Sequence, residues 1–473
     1  MRAILTLVLI SALLLSACES EGDRVYAGAL KCAESLSMGG DCPPQQVTKQ
    51  EHPKASGDGQ AVAPSPRGAV EARVYIDASE SMKGYAAAAD SSFVRVIEAL
   101  GYTMPGCRLY KYGFAGGQRH DASAGQAAFA REIRFSQDLR KPSFYDLDFN
   151  EDDVLIKHLA GEDAPALSVL LTDGVYSARN TELQSEVVKA VEEWMNKGRF
   201  FGILIFAGPF DGRLYSENRR DWTEPVKVSA RPFYAFVFSP DEKEFHELRD
   251  QLAVEVKIAG SLAFPREAVS CTVAPQDKNG LEKKDIPPRH PFHLHMYNES
   301  VYGGGEQAQM SLDLRCTPAP DYPVAAFKPE PSLEAYTWQQ DTFRKNERLP
   351  QFTYQLAEQP AASATAMPSP EAGGGTAPLP TPPAATRKQS NLTLTLGRDA
   401  IAGYSLYHLT FDLSGRALRP DIRELSTQDD AVIGEAGKTY RFYEFISSLT
   451  AMHLQNGKAM AAPPPVFIAV ANR

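Results

Sequence analysis

RVYIDASES, residues 73–81, decides the fold. After Arg73, Val74 to Ile76 is a run of β-branched and aromatic side chains, the composition of a buried strand. Asp77, Ser79 and Ser81 follow at spacings of two, where short polar side chains bond to local backbone and turn the chain. A strand that ends in one carboxylate and two hydroxyls can direct three hard oxygens at a single point. Open α/β sheets bind ligands there, beyond the carboxyl ends of their strands.

Working outward, SSFVRVIEALGY (91–102) has helical spacing and CRLYKYGFAGG (107–117) is a strand followed by glycines. ALSVLLTDG (166–174) is a continuous apolar strand closed by Asp173-Gly174. TELQSEVVKAVEEWMNKG (181–198) is an amphipathic helix that places Leu183, Val187, Val188, Val191, Trp194 and Met195 on one face. Thr181 suits its cap, and Gly198 suits a left-handed stop. FFGILIFAG (200–208) and RPFYAFVFS (231–239) are strands, with Phe233, Tyr234, Phe236 and Phe238 as core residues, and EKEFHELRDQLA (242–253) is a helix. Apolar strands alternating with helices predict an α/β domain over residues 70–253, a doubly wound, mostly parallel sheet covered on both faces. Past residue 254 short strands separated by Pro, Gly and Asn turns predict a mostly β domain to residue 473. An Ala/Pro/Gly-rich insertion interrupts it at about 358–388, and a helix over TYRFYEFISSLTAMHL (439–454) precedes a last strand, VFIAVA (466–471).

Composition narrows the function classes. The 473 residues carry 49 Lys and Arg against 59 Asp and Glu, a formal charge of −10, and this excludes a general nucleic-acid binder that would need a basic stripe. The 23 Phe, 19 Tyr and 3 Trp supply enough bulky surface to exclude disorder over most of the length.

MRAILTLVLISALLLSAC (1–18) has one arginine before an apolar run too short to span a bilayer, the pattern of an export signal. Its end, Leu15-Ser16-Ala17-Cys18, resembles the bacterial lipobox, which implies removal of residues 1–17 and a lipid on Cys18. The membrane contact expected is through that anchor. Glu19, by resemblance to lipoproteins lacking aspartate at this position, implies the outer membrane, facing the periplasm or the surface. Residues 18–69 read as a flexible tether. In an oxidising compartment Cys32 and Cys42 can close a small loop and Cys271 can pair with Cys316, leaving Cys107 as a buried thiol; other connectivities stay open.

Asp77-x-Ser79-x-Ser81 after the first strand, with Leu171-Thr172-Asp173-Gly174 closing a later one, resembles the von Willebrand factor A domain and its metal-ion-dependent adhesion site. The resemblance covers residues 70–253. It implies that Asp77, Ser79, Ser81 and Asp173 hold a divalent cation, Mg²⁺ first and Mn²⁺ or Ca²⁺ otherwise, in keeping with the hard-oxygen donor set. It also implies a protein partner that presents Asp or Glu to the metal. FDGRLYSE (210–217) and RPFYAFVFS are similar to segments of some bacterial members, without an assigned role. Two departures matter. Glu80 stands where glycine is common. No threonine precedes the helix before LTDG, where Asn150, which can equally act as a helix cap, and Ser143 are the available substitutes.

His290, His293 and His295 form a second candidate; alternation puts the last two on one strand face at a spacing that can bind Zn²⁺ or Cu²⁺, against the plainer reading of surface or hydrogen-bonded histidines. Three functions compete: an envelope-anchored module that binds a protein through a cation, a metal-dependent hydrolase using Asp77 and Asp173, and a structural lipoprotein whose metal site has decayed. The first is the expectation carried forward, without catalytic residues.

Overall fold

The computed structural model describes residues 21–42, 71–88, 90–113, 130–134, 139–147, 152–163, 165–174, 181–215, 223–275, 281–283, 293–297, 307–340, 342–347, 352–359, 389–397, 404–429, 436–455 and 465–471. RVYIDASES supplies strand β1 (Ala72–Asp77). The same sheet contains β2 (Arg108–Tyr112), β3 (Ala130–Ile133), β4 (Leu167–Thr172), β5 (Phe200–Tyr215), β6 (Thr223–Ser239) and β7 (Gly260–Phe264), in the order β3-β2-β1-β4-β6-β5-β7. β1 pairs in parallel with both β2 and β4. Helix Ser92–Thr103 makes the first crossover, capped by the Ser91 side chain, which accepts from the Val94 backbone N–H at 3.1 Å.

The sheet is mixed because the chain between Phe200 and Ser239 contains no crossover helix among its described residues. β5 and β6 are consecutive strands, and without a crossover consecutive strands can pair only antiparallel. β6 is antiparallel to β4 as well, and β7 and β3 join as antiparallel edges. The α/β expectation therefore holds, with β2-β1-β4 as its parallel centre. Alternation explains the continuous apolar strands. Val74, Ile76, Val169, Leu171, Phe233, Ala235 and Val237 point to one face, under helices Ser92–Thr103 and Glu242–Glu255. Tyr75, Leu170, Tyr234, Phe236 and Phe238 point to the other, under helices Asp152–Gly161 and Thr181–Asn196. The latter helix buries Val187, Val188, Val191 and Trp194 as expected, and Gly198 ends its last turn at φ 79°.

The mostly β half is two packed sheets. Its strands are β8 (Val269–Pro275), β9 (Leu281–Lys283), β10 (His293–Tyr297), β11 (Gln307–Pro318), β12 (Val324–Gln339), β13 (Thr342–Lys345), β14 (Phe352–Gln359), β15 (Gln389–Gly397), β16 (Tyr404–Leu418), the short parallel pair β17 (Ser426–Thr427) and β18 (Thr439–Tyr440), and β19 (Val466–Ala471). One sheet is β13-β12-β16-β19-β10-β9 and the other β14-β15-β11-β8. Leu333, Leu409, Val466, Ile468 and Val470 of the first meet Val273, Leu312 and Leu314 of the second in a shared core. Cys271 and Cys316 lie directly opposite on β8 and β11 and are bonded, as are Cys32 and Cys42, while Cys107 is a buried thiol.

Three sequence expectations change. Residues 21–37 are not tether: Glu21–Ser37 is a helix that buries Val25, Ala29, Cys32 and Ala33 against Leu294, Tyr336, Phe343, Leu406 and Phe467 on the outer face of the six-stranded sheet. Those strands are apolar on both faces, so the outer face needs a cover. The expected boundary at 253 falls short of β7, which still belongs to the first sheet. The insertion expected at 358–388 begins later, because Glu358 and Gln359 pair with β15; residues 360–388 lie outside the described residues, as do the signal segment 1–17 and Cys18. Among the described residues no helix is long and apolar enough to cross a membrane.

The two halves share a core. Helix Phe442–Gln455, from the end of the chain, stacks Phe442 on Tyr234 at 4.4 Å between ring centroids and Phe445 on Phe236 at 5.9 Å. Arg249 pairs with Asp321 at 2.6 Å, and Ala263 N–H donates to the Asp321 carbonyl at 3.0 Å.

Candidate functional site

β1 and β4 are neighbours with Ile76 opposite Leu171, so their last residues, Asp77 and Thr172, end side by side. Both are buried, at 0% and 1% exposure, and so is Asp173 at 3%. Asp77 Oδ1 accepts the Ser79 backbone N–H at 2.9 Å, which folds the chain back over the carboxylate. Asp77 Oδ2 accepts the Thr172 hydroxyl at 3.2 Å, and Thr172 Oγ1 in turn accepts the Gly174 N–H at 3.2 Å. The Ser79 and Ser81 hydroxyl oxygens are 3.0 Å apart. Gly174 sits at φ 66°, and a Cβ there would stand 2.7 Å from the Tyr234 ring, so glycine is required for both conformation and space.

The structure thus brings Asp77, Ser79, Ser81 and Asp173 to one end of the sheet. Glu80 pairs with Lys83, 2.6 Å between Oε1 and Nζ. The loop over residues 145–147 runs beside them: Leu147 accepts from Glu80 N–H at 3.1 Å and donates to the Ala78 carbonyl at 3.2 Å. Ser143, in the short 3-10 turn Pro142–Phe144, is exposed. Asn150 lies outside the described residues, three positions beyond Leu147. The residue the sequence reading passed over is Thr172. Its hydroxyl serves Asp77 from within LTDG itself, and the signal was its position as the last residue of the apolar run, one step before Asp173.

Burial, and next the charge of Asp173, push the Asp77 carboxyl up to about 7, against the lowering effect of the Ser79 and Thr172 hydrogen bonds. Tyr145, buried and raised by the same desolvation, also feels Asp77, and Tyr85 and Tyr234 feel Asp173. Two carboxylates thus share a desolvated aromatic setting with three hydroxyls and neither thiol nor imidazole among the named donors. Such a set could hold a hard cation such as Mg²⁺, Mn²⁺ or Ca²⁺, whose charge would offset the mutual repulsion.

A two-stranded arm borders the site. Thr172 and Ile205 both lie opposite Tyr234, so β5 beyond Ile205 and its partner strand rise past the carboxyl end of β4. The arm packs on the turn after Ser81. A Cβ on Gly84 would meet the Phe210 ring at 2.3 Å, and one on Gly212 would meet Gly84 Cα at 2.6 Å. Arg231, 5% exposed, lies over Phe210 at 5.3 Å and donates to the Ala436 carbonyl, while Tyr234 donates to Thr439 Oγ1 at 2.8 Å. The arm and the C-terminal segment are in this way fastened to each other beside Asp173.

Elsewhere, His293 and His295 lie in β10, opposite Val466 and Ile468 of β19, and His290 lies outside the described residues. Among the described residues no group of three or more His, Cys, Asp or Glu is placed to hold a metal ion. No protein-family model matches this chain, and no curated protein or solved structure does so either.

Proposed function

We propose that this chain is a lipid-anchored bacterial envelope protein whose α/β half captures a protein partner through a divalent cation held by Asp77, Ser79, Ser81 and Asp173. The observation that carries the reading is the meeting of Asp77 with Thr172-Asp173 at the ends of two adjacent parallel strands, with both carboxylates buried. This is the relationship expected from the resemblance of DASES and LTDG to the von Willebrand factor A adhesion site. Mg²⁺ is the first choice of ion, with Mn²⁺ or Ca²⁺ next, and Asn150 is the further ligand we propose on the resemblance alone. When bound, the ion supplies positive charge at a site that is otherwise costly to ionise twice.

The chain's own groups set what the ion can do. The Ser79 N–H and the Thr172 hydroxyl orient Asp77. Burial raises the strength of every charge interaction there. A partner Asp or Glu completing the coordination gives a directional contact, and the arm and neighbouring loops supply area and selectivity. The anchor is Cys18, placing the protein in the cell envelope, at the outer membrane.

Titration calorimetry of the purified mature chain with Mg²⁺, Mn²⁺ and Ca²⁺ tests the cation, with Asp77→Ala and Ser79→Ala expected to abolish the heat while the circular dichroism of the fold persists. Capture of an envelope partner should disappear in EDTA. Undiminished capture in EDTA, or no heat with any of the three ions, sinks the reading.

A further inference from the structure

We infer that the folded body is held directly against the lipid bilayer by helix Glu21–Ser37, rather than lifted from it on a long tether. This rests on the proposed lipid at Cys18. The helix is docked by Val25, Ala29, Cys32 and Ala33 on the outer face of the six-stranded sheet, and Gly28 lets it approach so closely that a Cβ would stand 2.2 Å from the Trp338 ring. The Cys32–Cys42 disulfide holds the chain past the helix end back against it.

Two consequences follow from chain geometry. Only the steps from Cys18 to Glu21 separate the anchor from the docked helix, a reach of at most about 11 Å. A flexible segment over 18–69 would instead have a root-mean-square length of about 40 Å. The segment 43–70, for its part, has both ends in one body. Cys42 is bonded to the docked helix, Ala72 begins β1, and the two halves share the core around Tyr234, Phe442, Val269 and Val324. A segment tied to one body at both ends cannot set, by its length, the height of that body above the membrane. The N-terminal end of the docked helix is thereby the part of the body held nearest the membrane.

Neutron reflectometry of the full lipidated chain on a supported bilayer reads the height as the solvent gap between headgroups and protein. Three forms decide it: the natural chain, one with about 24 Gly/Ser residues inserted between Ser20 and Glu21, and one with the same insert between Gly57 and Asp58. The expected gaps are about 10 Å or less for the natural chain and the second insert, and about 25–30 Å for the first insert. A natural-chain gap of several tens of Å, or a gap widened by the insert at 57–58, overturns the inference while leaving the anchor intact. Mass spectrometry of the mature N-terminal peptide separates the two failures, because a Cys18 without acyl groups overturns the anchoring reading itself and this inference with it.

Discussion

Thr172 donates its hydroxyl to Asp77 Oδ2 at 3.2 Å, joining the last residues of two adjacent parallel strands. The bond is buried and its acceptor is a carboxylate, a class worth about 1.5–3 kcal/mol. Thr172→Val keeps shape and removes the donor. It is expected to weaken Mg²⁺ or Mn²⁺ binding about tenfold by calorimetry. Thr172→Ser should restore most of the affinity; equal affinity in Val and Thr forms would show that the bond does not orient Asp77.

The carboxyl of Asp77, raised from 3.8 to about 7, makes the metal-free protein pH-sensitive in a definite direction. Between pH 4 and 7 the folded state holds a proton that the unfolded state has released. Stability from this group is therefore fully present below pH 4 and is lost as pH rises through 7. Urea denaturation in EDTA should show this falling contribution, and Asp77→Asn should remove it. Saturating cation should remove it too, with protons released on binding near pH 6.

His453 titrates with the opposite sign. It is buried between Tyr322 and Phe264, and burial lowers its pKa from 6.5 to about 4. Here the unfolded state binds the extra proton, so stability is present above pH 6.5 and is lost as pH falls through 4, by up to roughly 3 kcal/mol. The two slopes oppose each other over the same window. In Asp77→Asn, stability should accordingly fall more steeply on acidification than in the natural chain, and His453→Gln should lessen that fall. An identical acid limb in Asp77→Asn with and without His453→Gln would refute the assignment.

Gly212→Ala tests the fastening of the arm to the site. The new Cβ would meet Gly84 Cα at 2.6 Å, a clash with backbone that no rotamer relieves. Overpacking of this kind costs about 1–3 kcal/mol. Because Gly84 follows Ser81 closely, cation affinity should fall together with the denaturation midpoint. A variant as stable as the natural chain and equal in cation binding would show that the arm moves freely of the turn.

Much of the first half was legible because its signals are local. Val74 and Ile76 against Tyr75, and Phe233 and Val237 against Tyr234 and Phe236, divide between two buried faces, and a strand buried on both sides reads as a continuous apolar run. Helix Thr181–Asn196 was visible through Val187, Val191 and Trp194, all of them large or branched. Helix Glu21–Ser37 was not, although Val25, Ala29, Cys32 and Ala33 keep helical spacing, because three of these four side chains, Ala29, Cys32 and Ala33, are small and leave little apolar contrast with their charged neighbours. The β5–β6 arm was missed for a related reason: two strands can be recognised separately while nothing local states which neighbour each will choose.

By itself, then, the sequence determined the α/β then β order, the apolar strands, the cysteines available for pairing and the choice of Asp77, Ser79, Ser81 and Asp173 as proposed donors. Periodicity and composition are written along the chain and need no partner to be read. Tertiary structure alone decided that Asp77 and Thr172 meet, that β5 and β6 return as an arm beside the site, and that residues 21–37 cover a sheet. Each of these depends on contacts between segments far apart in the chain. A side chain's burial and charge environment exist only once both segments are in place.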